Sequence, residues 1–190
     1  MIAARNIAAI LLAAGRSERF GNDDKLMAPL DGEPLALHAA RTIAALAPGR
    51  RIAVCERADG PLAGRLAPLG YEIAANPHPE QGLSRSLARG IAAAETAEAA
   101  LVCLADMPFV TTAHLGALLA RFDAETAPVV ASARDGTPMP PALFARSLFG
   151  ALQAGEGDQG GRALLARAAL VPATAGELAD IDRPGDLSDR

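Results

Sequence analysis

Short apolar runs alternate along the chain with stretches whose apolar residues recur at helical spacing. The continuous run Ile7–Ala14 predicts a buried strand that ends at Gly15. Further strands are predicted at Arg51–Cys55, Tyr71–Asn76, Ala100–Ala105 and Val129–Ala133, with a late one at Leu170–Ala173. Between them lie helical patterns. Pro34 suits a first helical turn and opens a helix over Pro34–Leu46, which Pro48-Gly49 stops. Asp59–Leu69 reads as a short helix ended by Gly70. Leu83, Leu87 and Ile91 recur at four-residue steps and set one apolar stripe on a helix over Gly82–Ala94. Thr111 or Thr112 caps a helix on which Leu115, Leu118, Leu119 and Phe122 form the apolar face. Past the turn at Asp135-Gly136, Thr137–Pro141 holds three prolines and is expected to be irregular. Leu143–Leu152 and Gly161–Ala169 are expected to be helical, with Asp158 a cap for the second. Ala179–Asp182 is expected to be extended, and Arg183-Pro184-Gly185-Asp186 to turn.

Alternating strands and helices with short links predict an α/β fold, a Rossmann-like three-layer sandwich around a mainly parallel sheet. With no internal repeat and no linker, one domain is expected over residues 1–190. Ligands of such sheets bind beyond the carboxyl ends of the strands. Gly15 and Asp106 both fall at such ends.

The stretch after the first strand, Gly15-Arg16-Ser17-Glu18-Arg19-Phe20-Gly21-Asn22-Asp23-Asp24-Lys25, has the chemistry of an anion site. A chain turning sharply at Gly15 can aim several N–H groups into one space. Arg16 and Arg19 add planar forks, and Lys25 adds a compact charge. Lys25 is the only lysine among 18 Lys+Arg, so a surface filler is the weaker explanation for it. The spacing excludes a Walker A loop, since Gly15 and Gly21 have five residues between them and the lysine comes four residues after Gly21. A formal Gly-x-Gly-x-x-Gly at Gly155–Gly160 follows a helical pattern rather than a strand, and it carries Glu156 and Asp158 where a pyrophosphate would lie. It is a loop, not a dinucleotide site.

Asp106 emerges from the strand Ala100–Ala105 and is followed by Pro108, which favours an extended exit. A carboxylate there suits Mg²⁺, which takes one or two carboxylates plus substrate phosphates. Alternation puts Asp180 and Asp182 on one side of their extended segment, and either could join Asp106 across the metal. Gln81-Gly82-Leu83-Ser84-Arg85-Ser86 opens a helix whose free N–H groups and hydroxyls could hold a base or ribose, although N-capping by Ser84 is the simpler role. His38 and His114 are expected to be structural, and His78 lies in a loop.

Composition narrows the class. A net charge of −4 argues against a nucleic-acid coat and makes any positive potential local. Cys55 and Cys103 each sit in an apolar run and are expected to be reduced core residues, consistent with a cytoplasmic protein. Met1–Asn6 lacks the basic start of a signal peptide, and no apolar window is long enough for a membrane span.

Together these residues resemble the MobA-like nucleotidyltransferases. The resemblance rests on Leu12-Ala13-Ala14-Gly15-x-Ser17-x-Arg19-Phe20-Gly21 with Lys25, on Asn76-Pro77, Gln81-Gly82 and Ser86, and on Leu104-Ala105-Asp106-Met107-Pro108. Gly157-Asp158-Gln159-Gly160 and Asp180-Ile181-Asp182-Arg183-Pro184-Gly185-Asp186-Leu187 complete it, so it covers nearly the whole chain. Within the family the chain is most similar to the molybdenum cofactor cytidylyltransferases, because guanylyltransferase relatives usually carry two glycines where this chain has Ala14-Gly15.

The resemblance implies a fold of the nucleotide-diphospho-sugar transferase type and Mg²⁺-dependent transfer of CMP from CTP to the phosphate of molybdopterin, releasing pyrophosphate. It implies catalytic roles for Lys25, Arg19 and Asp106, and nucleotide binding by Ala13, Ala14, Gly15, Arg16, Ser17, Asn76, Gly82 and Ser86. Asp106 and Asp182 are implied as metal ligands. A molybdoenzyme or its chaperone is the implied partner, with no nucleic acid and no membrane. Three residues separate Gly21 from Lys25, a spacing also found among guanylyltransferases, so GTP is the alternative donor. Met139-Pro140-Pro141 stands where the family often has Gly-His-Pro or Gly-Asn-Pro, so another phosphorylated acceptor is a further alternative. A non-catalytic nucleotide-binding module is the alternative from a different class.

Overall fold

The computed structural model describes residues 1–15, 24–155 and 161–187. Its centre is β1 (Ile7–Ala13), in which every residue is buried. Alternate side chains leave the strand in opposite directions. Ile7, Ala9 and Leu11 enter one core, and Ala8, Ile10 and Leu12 the other. That is why the strand reads as one continuous apolar run.

On one side of β1, β4 (Arg50–Cys55) and then β5 (Glu72–Ala75) pair in parallel. On the other side lies β6 (Ala99–Leu104), also parallel. Beyond it come β8 (Thr137–Ala145), β7 (Val129–Arg134) and β9 (Ala169–Pro172), giving seven strands in the order β5-β4-β1-β6-β8-β7-β9. Helices α1 (Leu35–Ala45), α2 (Pro61–Leu66) and α4 (Thr112–Arg121) supply Ile43, Leu66 and Leu118 to the first core. Helices α3 (Leu83–Ala93) and α5 (Phe149–Ala154) supply Ile91 and Leu152 to the second, and α6 (Arg162–Leu165) packs beside them. These are the three expected layers. Thr111 caps α4 by accepting from the His114 N–H at 3.1 Å.

The stretch after Asp135-Gly136 departs from its expectation. Thr137–Pro141, expected to be irregular, and the first part of Leu143–Leu152, expected to be helical, form the single strand β8. The cause is tertiary. β8 lies between β6 and β7, antiparallel to both, and Leu143 and Phe144 point into opposite cores. The prolines are tolerated because the β7 pairing shifts register there: Ala131 faces Ala142, but Ser132 faces Met139. Pro140 and Pro141 therefore occupy a bulge where no ladder N–H is required. The end of the predicted helix survives as α5, and Ala169, expected to end a helix, belongs to β9 instead.

A small hairpin went unpredicted. β2 (Pro29–Leu30) and β3 (Glu33–Pro34) pair antiparallel around Asp31-Gly32, a dipeptide suited to such turns. Leu30, Leu35 and Ile181 form a separate apolar cluster there. His38 Nε2 donates to the Leu30 carbonyl at 2.9 Å, so this histidine is structural as expected. Cys55 and Cys103 are free and buried, and burial pushes their thiols up to about 11 and about 12. Among the described residues no helix is long and apolar enough to cross a membrane.

Gly90 fixes how closely α3 approaches the sheet. A Cβ there would stand 2.5 Å from Ile10 Cγ2 and 3.1 Å from Val54 Cγ2. Both neighbours are fully buried and cannot withdraw. Gly90→Ala is expected to destabilise the fold by about 1–3 kcal/mol, measured by urea unfolding, despite the better helix propensity of alanine.

Candidate active site

The register of the two central strands builds the site. Leu12 faces Leu104 across β1 and β6. Continuing in step, the Ala105 N–H donates to the Leu12 carbonyl at 3.1 Å. The strand ends therefore bring Ala14 and Gly15 to the same edge as Asp106. Ala13 and Ala14 are buried at this edge, while Gly15 is exposed.

Two further segments converge on Asp106. Asp24 accepts from the Leu26 N–H at 3.0 Å and caps the turn Lys25–Met27, and Leu26 is buried beneath it. This turn carries the only lysine of the chain onto Asp106. The tail arrives from the other direction. Ile181 is buried against Leu30 and Leu35, and its N–H donates to the Asp106 carbonyl at 2.9 Å. Asp186 Oδ2 accepts from the N–H groups of Asp182 (2.9 Å) and Arg183 (2.8 Å). Those two backbone bonds hold the Asp186 carboxyl below its usual range.

Lys25 Nζ consequently donates to Asp106 Oδ2 at 2.8 Å and to Asp182 Oδ1 at 3.1 Å. The structure distinguishes the two tail carboxylates: Asp182 reaches Lys25, whereas Asp180 is exposed and does not line the cleft. Burial lowers the Lys25 pKa, but the bonds and charges of Asp106, then of Asp182, outweigh it and leave it above 10.5.

Lys25, Asp106 and Asp182 line a cleft of about 560 Å³, together with Gly15, Gly82, Leu83 and Ser86. The chain turns into α3 at Gly82 with φ 92° and ψ 173°, a conformation essentially reserved for glycine. The first turn of α3 faces the cleft without a side-chain cap, so the capping role expected of Ser84 is not observed. Free N–H groups at a helix N-terminus favour an anion.

Asn76 is fully buried and does not line the cleft. Its Nδ2 donates to Ser86 Oγ at 3.0 Å, and its Oδ1 accepts from the His78 N–H at 3.2 Å. It sets the segment that leads into α3. Asn76→Ala is expected to cost about 1–3 kcal/mol in urea unfolding, since it leaves buried polar groups without partners.

The oxygens present fit a hard divalent cation. Asp106 Oδ1 is buried and has no hydrogen-bond partner among the described residues. Two carboxylates meet at Lys25 and, among the described residues, no larger cluster of His, Cys, Asp or Glu forms. That set suits a Mg²⁺-like ion completed by substrate phosphates and water. Arg16, Ser17 and Arg19 lie outside the described residues, as do Asp158 and the Gly157–Gly160 segment. Cleft residues not anticipated include Leu12, Leu26, Glu80 and Leu104. Leu83 was assigned to the buried stripe of α3, yet it is 48% exposed and lines the cleft.

Residues 9–173 match the family model of the MobA-like NTP transferase domain, and the chain belongs to that family. It is 31% identical over 194 residues to the purine catabolism protein PucB of Bacillus subtilis, covering 92% of this chain and 91% of that protein. It is 32% identical over 143 residues to a probable molybdenum cofactor guanylyltransferase of Haloferax mediterranei, covering 74% of this chain and 66% of that one. Of the bifunctional protein GlmU of Rhizorhabdus wittichii, also similar, the chain spans 28%. The fold is shared with the crystal structure of Rv0371c in complex with manganese, from Mycobacterium tuberculosis. There the TM-score is 0.78 at 20% identity, and 96% of each chain is covered.

Proposed function

We propose that this chain transfers a nucleotidyl group from CTP onto the phosphate of a small phosphate monoester, releasing pyrophosphate. The observation that carries this reading is Lys25, held between Asp106 and Asp182 in a cleft also lined by Ala14, Gly15 and the start of α3. Non-catalytic binding of a nucleotide would not require two converging carboxylates.

The triphosphate lies along the Ala14-Gly15 edge, where N–H groups and the α3 N-terminus face its charge. An acceptor phosphate oxygen attacks the α-phosphorus in line. The bond from that phosphorus to the oxygen bridging to the β-phosphate breaks, and its electron pair leaves with pyrophosphate. No covalent enzyme intermediate forms. Lys25 neutralises charge that builds on the phosphates, and Arg19, Arg16 and Ser17 are assigned to the same task. Asp106 and Asp182 would hold Mg²⁺, which when bound supplies charge neutralisation at the reacting phosphate. Catalysis is then positioning plus electrostatics.

CTP is the preferred donor because of the Ala14-Gly15 step. GTP is the second reading, favoured by the Haloferax relative named a guanylyltransferase. Molybdopterin is the acceptor to assay first, with delivery to a molybdoenzyme or its chaperone in the cytoplasm. Pyrophosphate release with Mg²⁺ and molybdopterin, comparing CTP with GTP, tests the assignment. CTP is expected to lead by at least about tenfold. Equal or GTP-preferring turnover overturns the donor. Nucleotide binding without release on any phosphate monoester overturns transfer in favour of a binding module.

A further inference from the structure

A second concavity, of about 500 Å³, adjoins the nucleotide cleft. The two share Leu12, Leu83 and Leu104, and Leu104 stands two residues before Asp106. The second concavity differs sharply in chemistry. Among the described residues its lining includes no carboxylate, and the polar ones are Ser84, Thr137 and Arg162. The other described residues lining it are apolar or glycine, including the wall Pro138, Met139 and Pro140.

That wall is preformed. It is the bulge of β8, and it is pinned from behind. Ser132 Oγ donates to the Pro141 carbonyl at 2.8 Å, which leaves its lone pairs to accept from His114 Nε2, also at 2.8 Å. Both side chains are buried. A rigid apolar wall loses little entropy on binding. Its volume lies within the range of small-molecule sites. At the seam between the two clefts Leu83 is nearly half exposed, and a ligand crossing from one cleft to the other would cover it.

We infer that this concavity holds the body of the acceptor, and that the acceptor is a phosphate monoester with an apolar body rather than a polyol or sugar phosphate. The phosphate lies at the Lys25–Asp106 end of the nucleotide cleft, and the apolar part crosses Leu104 into the second cleft. This rests on the transferase reading above. A carbohydrate there would leave hydroxyls facing leucine, proline and methionine without partners, a direct penalty.

Calorimetry on the full chain, with Mg²⁺ and a non-hydrolysable CTP analogue present, compares octyl phosphate below its micelle concentration with glucose 1-phosphate, inorganic phosphate and octanol. Octyl phosphate is expected to bind at least about tenfold tighter than either polar phosphate. Leu165→Gln on α6 and Met139→Gln in the wall are each expected to weaken octyl phosphate at least about fivefold while leaving inorganic phosphate unchanged. Octyl phosphate binding no tighter than glucose 1-phosphate overturns the inference. So does faster pyrophosphate release on glucose 1-phosphate than on octyl phosphate, an outcome that leaves nucleotidyl transfer intact. Octanol binding as tightly as octyl phosphate would reassign the concavity to an apolar docking surface. Failure of both CTP and GTP to bind would remove the transferase reading and the inference together.

Discussion

Asp106→Asn is expected to lower pyrophosphate release about 10²- to 10³-fold with the fold intact. The side chain keeps its shape, and the backbone bond from Ile181 to the Asp106 carbonyl does not involve it. The charge and one acceptor oxygen are lost. An Asn NH₂ placed at Oδ2 would face the Lys25 ammonium, donor against donor. Placed at the buried Oδ1, it would replace an acceptor that has no partner among the described residues. Either orientation spoils the pair of carboxylates that a hard cation needs. Mn²⁺ binding, followed by electron paramagnetic resonance without nucleotide, should weaken at least about tenfold, while the cooperative unfolding transition is retained. Turnover near wild type would show that Asp106 does not act on the reacting phosphates.

Lys25→Met is expected to cost about 10²-fold in kcat, with the opposite effect on the metal. Methionine keeps the buried stem and removes the charge. In the folded protein that charge stands between Asp106 and Asp182, where a cation would compete with it. Mn²⁺ alone should therefore bind the variant at least as tightly as wild type, whereas transfer fails because the phosphates lose a neutralising partner. The two variants thus separate a metal ligand from a phosphate-facing cation. Near wild-type turnover in Lys25→Met would overturn the role given to the lysine.

Lys25 does not titrate near neutrality. Burial pulls its pKa down, but Asp106 and then Asp182 raise it further, to a value above 10.5. Its pairing therefore contributes to stability in full below pH 10.5, and that contribution is lost as the pH climbs through the raised folded value.

Much of the site was legible along the chain because its residues mark ends of elements. Gly15 follows an apolar run buried on both faces, Asp106 follows another, and a solitary lysine stands near the first. Those features depend on local composition and on the rule that ligands gather at the carboxyl ends of parallel strands. The layered α/β order followed from the same alternation. The stretch around the β8 prolines was not legible. Its helix-like apolar spacing and its three prolines both argue locally against a strand, and only the vacant position between β6 and β7 makes it one.

The sequence by itself determined that the chain is an α/β protein, and it marked Lys25, Asp106 and a tail carboxylate as candidate site residues. It could not choose between Asp180 and Asp182. Period-two alternation places both on the same side of an extended segment. The tertiary structure chose Asp182, because burial of Ile181 against Leu30 and Leu35 and its bond to the Asp106 carbonyl fix where the tail lies. The structure alone also decided that Asn76 supports the site from the core, and that Leu83 joins two clefts instead of entering the stripe of α3. The physical reason is common to all three. Which of several locally equivalent residues faces a site depends on contacts between segments far apart in the chain, and periodicity carries no record of those contacts.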